Sequence, residues 1–234
     1  MILVRKLVDY LAKGNKKEHE HITYFNPDVI SLEKSHQDFL SELELFNAGK
    51  EYKNFNDFIC KEAIEYKNNG DGVTYVVWNV MYDENNNEIK RDVVSYYTLA
   101  ATSIPYEDRI RLDEEDAKII GQEFDTEICG ISAIEIKMFA VNEKYQNKFF
   151  VYEGEDLPIS AWVMRSIIDF AYSIMNEVIG FKALFLHSLP EAENFYKMNG
   201  FNAMEINMQP LHCLDSDYTA MYLSLRNVHM NYDK

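Results

Sequence analysis

The stretch from Ile131 to Phe201 constrains the fold of this chain more than any other part of its sequence. Apolar and polar residues alternate over Ile131–Val141, which predicts a strand, and the spacing of Ile159–Ile179 predicts an amphipathic helix. A short apolar strand over Lys182–Leu186 follows, and then a short helix that ends at Asn199-Gly200. This order predicts two parallel strands joined by a right-handed crossover, with a ligand site in the loop after the first strand.

The segments on either side of this stretch predict the rest of the sheet and its covering helices. The predicted elements are, in order, helices within Ser31–Asn69, strands at Val73–Tyr82 and Asp92–Ala101, a connection or short helix over Pro105–Asp116, and closing strands at Ala203–Met208 and Tyr218–Leu225. The predicted fold class is α/β (α+β), with a mixed central sheet and helices on both faces. We predict a single domain over residues 1–234, with an N-terminal extension of residues 1–26 before a core of residues 27–226.

Composition limits the classes of partner. The formal net charge is −16, with 39 Asp and Glu residues against 23 Lys and Arg residues. Nucleic acid and anionic membranes attract basic patches, so we expect neither as a partner, and a cationic amine is a more favourable substrate. Three widely spaced cysteines, with no signal-peptide pattern and no membrane-spanning apolar run, predict a cytoplasmic protein. His19 and His21 have no neighbouring ligand cluster, so we predict no metal site.

Two segments resemble a known family. Ala192–Phe201, AENFYKMNGF, ends its helix in an A-x-x-F-Y-x-x-x-G-F pattern, and Met138–Gln146, MFAVNEKYQ, is the next best match. Together with the order of the elements, they resemble the GNAT superfamily of acyl-CoA-dependent N-acyltransferases over roughly Ser31–Arg226, and Asn54–Val77 resembles one bacterial branch. The resemblance implies acetyl-CoA as the acyl donor. It also implies two splayed central parallel strands, with the pantetheine arm lying between them as a pseudo-strand.

The resemblance also implies roles for individual residues. The pantetheine arm would lie along the backbone of Phe139, Ala140 and Val141, whose unpaired groups need a partner. Tyr196 matches a tyrosine that often protonates the departing thiolate, and Asn194 matches a position that often hydrogen-bonds the cofactor. Without the resemblance, Tyr196 reads equally well as a residue packed under the sheet.

A general base must remove a proton from the attacking ammonium. Strand parity places Glu135 on the same face as Phe139 and Val141, where several family members carry a glutamate, so we predict Glu135 as the base, acting through water. The alternative is a solvent-facing carboxylate with no catalytic role. His187, directly after the second strand, is the other candidate for the base.

The loop that should bind the pyrophosphate departs from the family pattern. Gln146 is present, but Asn147, Lys148 and two phenylalanines follow where glycines are expected, and an insertion delays the helix. The acidic run around Gly154, GluGlyGluAsp, would repel a diphosphate at a helix start. We predict Gln146, Asn147, Lys148 and Ser160 as cofactor-binding residues of a rebuilt site; the alternative is that cofactor binding is weak or lost.

These observations lead to one main function and two alternatives. The main prediction is an N-acetyltransferase that moves an acetyl group from acetyl-CoA to a primary amine of a small molecule or peptide by direct attack. The first alternative is a non-catalytic interaction or ligand-sensing protein on the same fold, in which Ile2, Leu3, Leu7 and Leu11 could form a partner or homodimer surface. The second, a tRNA-acetylating toxin of this superfamily, is disfavoured by the net charge.

Overall fold

The computed structural model describes residues 20–112, 114–121, 124–152, 154–205 and 218–226. The strands are β1 (Glu20–His21), β2 (Pro27–Ser31), β3 (Val73–Tyr82), β4 (Glu88–Arg111), β5 (Phe124–Val141), β6 (Lys148–Tyr152), β7 (Glu155–Pro158), β8 (Ala183–Ser188), β9 (Asn202–Ala203) and β10 (Thr219–Ser224). The helices are α1 (Leu32–Asp38), α2 (Leu40–Leu43), α3 (Lys53–Asp57), α4 (Ala63–Asn68), α5 (Glu114–Ile120), α6 (Ile159–Glu177) and α7 (Glu193–Met198). A π-helical turn at Phe58–Glu62 joins α3 to α4, and short 3-10 turns lie at Lys50–Tyr52, Glu143–Tyr145 and Pro190–Ala192.

A seven-stranded sheet forms the centre of the structure, in the order β2-β3-β4-β5-β8-β10-β9. β5 and β8 are parallel, because α6 carries the chain back across the sheet between them, and the other neighbours are antiparallel. A second sheet of three strands, in the order β1-β6-β7, is built from the segment between β5 and α6 together with β1. The predicted mixed sheet is confirmed.

Helices cover both faces of the large sheet, as predicted. α6 carries buried apolar side chains at Val163, Ile167 and Ala171, a spacing of four residues that puts them on one stripe facing the sheet. On the opposite face, residues of α2 and of the π-helical turn, Leu43 and Phe58 among them, pack against Trp78 and Tyr96. The central part of the sheet is therefore packed on both sides.

Several boundaries differ from the prediction. The edge strand β2 was not predicted: it lies between the predicted N-terminal extension, which ends at residue 26, and the predicted helices, which begin at Ser31. β4 and β5 continue well beyond the predicted limits and pair as far as Arg111 and Phe124. We predicted a connection or short helix over Pro105–Asp116, but Pro105 lies opposite Gly130 in this ladder. A Cβ atom at Gly130 would lie 2.3 Å from the Ser103 hydroxyl, so a side chain there would require that hydroxyl to move.

Part of the predicted N-terminal extension lies in the structure and part does not. β1 pairs in parallel with β6, while the apolar residues Ile2, Leu3, Leu7 and Leu11 lie outside the described residues. Most of the loop between the closing strands, including His212, also lies outside them. Among the helices that the structure describes, none is long and apolar enough to cross a membrane.

Candidate active site

The two central parallel strands separate part-way along their length. β5 and β8 pair only from Ala133–Ala183 to Glu135–Phe185, although β5 runs on to Val141 and β8 to Ser188. Each strand keeps its outer neighbour to the end: β5 pairs with β4, and β8 with β10. The backbone groups on the two inner edges therefore face a gap in which they need hydrogen-bonding partners. This confirms the predicted splay.

A cavity of about 430 Å³ lies in this gap, and we call it the cleft. It is lined from both faces of the sheet because it passes between the strands. The lining residues are Ile136–Val141 of β5, Gln146, His187, Leu189, Tyr218, the residues Ala48, Tyr52, Asn54 and Phe55 before and in α3, and Glu191, Ala192, Phe195 and Tyr196 in and after the third 3-10 turn. The predicted cofactor-contacting residues Phe139, Ala140, Val141 and Gln146 are all among them.

A β-bulge in β5 changes which side chains share a face. Thr98 pairs with Met138 but Leu99 pairs with Ile136, so Lys137 is the extra residue. One extra residue reverses the alternation beyond it, and Ile136 and Phe139 accordingly lie in the same core, under α6. The prediction that Glu135 shares a face with Phe139 and Val141 is therefore wrong.

Glu135 lies at the inner end of the cleft, where the strands part. Its side chain is only 6% exposed, and its two oxygens contact Lys137 Nζ at 2.8 Å and His187 Nδ1 at 3.3 Å. Burial would raise the pKa of Glu135, but hydrogen bonds from His187 and Lys137 outweigh burial and hold that pKa below its usual range. His187 and Lys137 line the cleft, whereas Glu135 lies behind them.

Tyr196 lies on the other side of the cleft. The turn Pro190–Ala192 and α7 place it in the core under α6, where its ring contacts Phe195 and Phe201 at centroid distances of 5.3 and 5.8 Å. Burial raises the pKa of Tyr196, so the hydroxyl stays protonated at neutral pH. The tyrosine is therefore both packed under the sheet and part of the cleft wall.

The structure brings residues to the cleft that we did not predict, and it leaves five predicted site residues outside the cleft lining: Glu135, Asn147, Lys148, Ser160 and Asn194. Asn194 is exposed on α7 and does not line the cleft, because the inward side of this helix carries Phe195 and Tyr196. The Phe195 ring stacks on Phe139 at 5.8 Å and 9°. Tyr52 donates a hydrogen bond to Glu191 Oε1 at 3.2 Å, which joins the two walls of the cleft. No sequence motif marks Tyr52 or Glu191.

We call the segment from Gln146 to Ser160 the outer end of the site; among its described residues Gln146 lines the cleft, and its structure differs from the family pattern. β6 and β7 form a hairpin in place of a glycine-rich loop, and Asn147 has the left-handed backbone angle φ 56° where the hairpin begins. Gln146 Nε2 donates to the backbone oxygens of Val141 at 2.8 Å and Ala48 at 3.0 Å. Lys148 forms an ion pair with Glu20 of β1.

The start of α6 is not acidic, in contrast to the prediction. Glu155 and Asp156 belong to β7, and Pro158 is the residue before the first turn. That turn, which contains Ser160, carries no acidic residue and no side-chain cap. The hairpin thus moves the carboxylates off the helix, whose backbone N–H groups and dipole favour an anion there.

Comparison with known proteins supports the fold. No family model and no curated protein matches the sequence. A tyrosine-to-phenylalanine mutant of the toxin AtaT is similar with a TM-score of 0.58 and 17% identity, over 92% of this chain and 99% of that chain. AtaTR bound with AcCoA gives 0.57 and 16%, over 90% and 99%. AtaT complexed with acetyl-methionyl-tRNAfMet gives 0.55 and 17%, over 88% and 99%.

The fold is that of the GNAT acetyltransferases. This fold contains the splayed strands, the bulged central strand and the short helix after β8. The sequence shares few residues with the similar structures. At this level of identity the similarity extends to the fold and leaves the chemistry to be argued from the cleft.

The same comparison corrects our prediction of the partners. From the charge of −16 we expected no nucleic-acid partner and a small-molecule or peptide acceptor. The similar AtaT structure is a complex with acetyl-methionyl-tRNAfMet, so a protein of this fold does bind nucleic acid. The argument was wrong because net charge sums over the whole chain, whereas binding depends on the local field at one surface.

Proposed function

We propose that this protein transfers an acetyl group from acetyl-CoA to the amino group of an aminoacyl-tRNA. The observation that carries the proposal is the cleft between β5 and β8. It lies where these two strands separate, and its lining includes aromatic side chains, Tyr196 among them. The tRNA-bound acceptor is suggested by AtaT, whose structure contains acetyl-methionyl-tRNAfMet.

The inner edges of the cleft suit the pantetheine arm of acetyl-CoA. The backbone of Phe139–Val141 pairs with a strand, β4, on one side. On the other side the Val141 oxygen accepts from Gln146, and the edge suits an extended ligand with peptide-like groups of its own. The stacked rings of Phe139 and Phe195 give one wall an apolar surface. An extended thioester in this gap would bring its carbonyl to the inner end, between Tyr196 and His187.

The acceptor chemistry suits an α-amine. An α-amino group titrates near pH 8, against about 10.4 for a lysine side chain, so a larger fraction is neutral and nucleophilic at pH 7. Glu191 lines the cleft and supplies a negative charge near the entering ammonium. Tyr196 would act as the general acid that protonates the departing thiolate.

The outer end would hold the diphosphate. The first turn of α6 offers backbone N–H groups without a competing carboxylate, and Ser160 in that turn adds a hydroxyl. Asn147 and Lys148 lie at the opposite end of the hairpin sequence, beside Gln146. We propose that the N–H groups of this turn replace those of the glycine-rich loop.

Two measurements test the proposal. Calorimetric titration of the protein with acetyl-CoA should give a dissociation constant in the micromolar range, and radiolabelled acetyl-CoA should label charged tRNA. Uncharged tRNA, free amino acids and free lysine are the control acceptors, since only the ester-linked α-amine should react. No heat at millimolar acetyl-CoA, or no label on any aminoacyl-tRNA when binding is seen, contradicts the proposal.

A further inference from the structure

The inner end of the cleft contains a buried carboxylate held between two basic side chains. Glu135 is the last residue of β5 that pairs with β8, and His187 lies two residues beyond its partner Phe185 on the same face. The bulge then turns Lys137 back so that its Nζ reaches the same carboxylate at 2.8 Å. Such a group is costly to bury unless its partners are specifically arranged.

Glu135 is poorly suited to be the base that accepts a proton from the substrate. It does not line the cleft, and both of its oxygens already contact basic groups. An ordinary glutamate titrates near 4.3, so taking a proton from an amine of pKa about 8 is unfavourable by more than a thousand-fold. The two basic partners of Glu135 lower its pKa further.

His187 meets both requirements that Glu135 fails. Its ring lines the cleft, and an imidazole ordinarily titrates near pH 6.5, which makes the same proton transfer unfavourable by only about thirty-fold. The contact of Nδ1 with Glu135 favours the tautomer that carries its proton on Nδ1, in which Nε2 is the proton acceptor.

We propose that His187 is the catalytic base of this enzyme, and that Glu135 and Lys137 are its positioning residues. The inference rests on the proposed acetyl transfer. Glu135 holds the ring through Nδ1 and stabilises the imidazolium that forms. Lys137 anchors the carboxylate from its other oxygen, so that Glu135 cannot rotate away from the histidine.

The arrangement places acid and base on opposite sides of the thioester. The substrate ammonium gives one proton to His187 Nε2, and the amine nitrogen then forms a bond to the thioester carbonyl carbon. As the carbon–sulphur bond breaks, the thiolate takes a proton from Tyr196, which regains it from the former amine nitrogen. The products are the N-acetyl amide and the free thiol of CoA, with one proton released to solvent through His187.

Other ionisable groups around His187 bear on its titration. From β5 these are Glu135 and Lys137; from the far walls of the cleft they are Tyr218 beside β10, Glu191, Tyr52 and Tyr196. Glu135 contacts the ring directly, whereas Glu191 accepts a hydrogen bond from Tyr52. Glu135 should therefore be the main source of stabilisation for the imidazolium.

Chemical rescue tests the role of His187. We expect His187→Ala to lower kcat at pH 7 by about 100-fold or more, with little change in the KM for acetyl-CoA, and added imidazole to restore part of the rate. His187→Gln, closer in size, should show the same loss if the alanine variant unfolds. A rate within threefold of wild type, or no response to imidazole in a folded alanine variant, overturns the assignment.

The pH dependence of kcat tests the two positioning residues. Without the Glu135 carboxylate the imidazolium is less stable, so Glu135→Gln should move the low-pH limb of kcat to lower pH and reduce its plateau about tenfold or more. Glu135→Asp should recover part of the plateau, and Lys137→Met should give a smaller loss. A limb that does not move shows that Glu135 is only structural.

A control variant far from the cleft and the activity of the wild-type enzyme distinguish failure of this inference from failure of the proposed function. Glu33 forms an ion pair with Lys67 on the surface, and Glu33→Gln should leave both rate and pH limb unchanged. If wild type acetylates no aminoacyl-tRNA, the proposed function has failed. If wild type is active and the His187 variants match it, only the present inference has failed.

Discussion

The two ends of the cleft are built on different principles. At the inner end, side chains that carry charge or a hydroxyl converge from β5, β8 and α7; they are Glu135, Lys137, His187 and Tyr196, of which Glu135 and Tyr196 are buried. At the outer end, Gln146 and Lys148 contact other parts of the protein, and the groups proposed for the ligand are the backbone N–H groups and the Ser160 hydroxyl at the start of α6. The inner end would therefore be sensitive to side-chain identity, while the outer end would respond mainly to backbone geometry and local charge.

The largest effect should come from the inner end. We expect Tyr196→Phe to lower kcat by about 100-fold, because a general acid commonly contributes at least that much. The phenylalanine keeps the ring contacts with Phe195 and Phe201, so acetyl-CoA binding and thermal stability should change little. Steady-state kinetics with calorimetric binding measures both. A variant with unchanged kcat would remove Tyr196 from the mechanism and leave it as a core residue.

The fold could be predicted further than the site, for a physical reason. The order and pairing of the strands follow from elements that are recognisable by the spacing of apolar residues within each of them, such as α6 and the hairpin of β3 and β4. The bulge at Lys137 inserts one residue without any glycine or proline to announce it, and that single residue reversed the predicted face of Glu135. Parity arguments along a strand fail at the first bulge.

The outer end was misjudged for a related reason. The acidic residues Glu155 and Asp156 were expected to repel a diphosphate at the start of the long helix, but they pair in β7 with β6. Gln146 matched the family pattern and does lie in the cleft, yet its amide bonds two backbone oxygens. Sequence identity at a motif position does not determine which partner the side chain finds in a chain with a different loop.

A negative charge placed at the start of α6 should weaken diphosphate binding at the outer end and leave the inner end unchanged. Ser160→Asp adds a carboxylate where the diphosphate would bind, and we expect acetyl-CoA to bind at least tenfold more weakly by calorimetry. The same change should slightly raise the melting temperature, because an acidic residue in the first turn favours the helix by roughly 0.5 kcal/mol. Binding and stability would thus move in opposite directions.

The control for that variant lies at the other end of the same helix. Ser173→Asp introduces the same charge at an exposed position in the last two turns of α6. It should leave acetyl-CoA binding unchanged and slightly destabilise the helix. Equal binding by the two aspartate variants would mean that the start of α6 does not hold the diphosphate.

If the acceptor is an aminoacyl-tRNA, as proposed, we expect the basic N-terminal segment to contribute to its binding. Residues 1–19 contain five of the 23 Lys and Arg residues and only two of the 39 Asp and Glu residues. In sequence they directly precede β1 of the three-stranded sheet. Replacing Lys13, Lys16 and Lys17 by glutamine should weaken tRNA binding about tenfold and reduce its dependence on salt. Filter binding at several salt concentrations measures both.

Three paired lysines provide the comparison for this triple variant. Lys61, Lys67 and Lys197 are also at the surface, but each contacts a carboxylate, Asp57, Glu33 and Glu193 respectively. Their replacement by glutamine removes the same formal charge from groups already neutralised, and should change tRNA affinity less than the N-terminal replacement. Equal losses in the two variants would assign the affinity to total charge and not to the N-terminal segment.

The smallest expected effect concerns Gln146, which could have a structural or a ligand-binding role. Gln146→Ala removes hydrogen bonds to Val141 and Ala48, and we expect a loss of roughly 1–2 kcal/mol in the free energy of unfolding, measured by chemical denaturation. Acetyl-CoA affinity should fall less than threefold, because the amide is already engaged within the protein. The opposite result, a large loss of affinity with unchanged stability, would return Gln146 to the diphosphate site, and the outer end would then depend on a side chain as the inner end does.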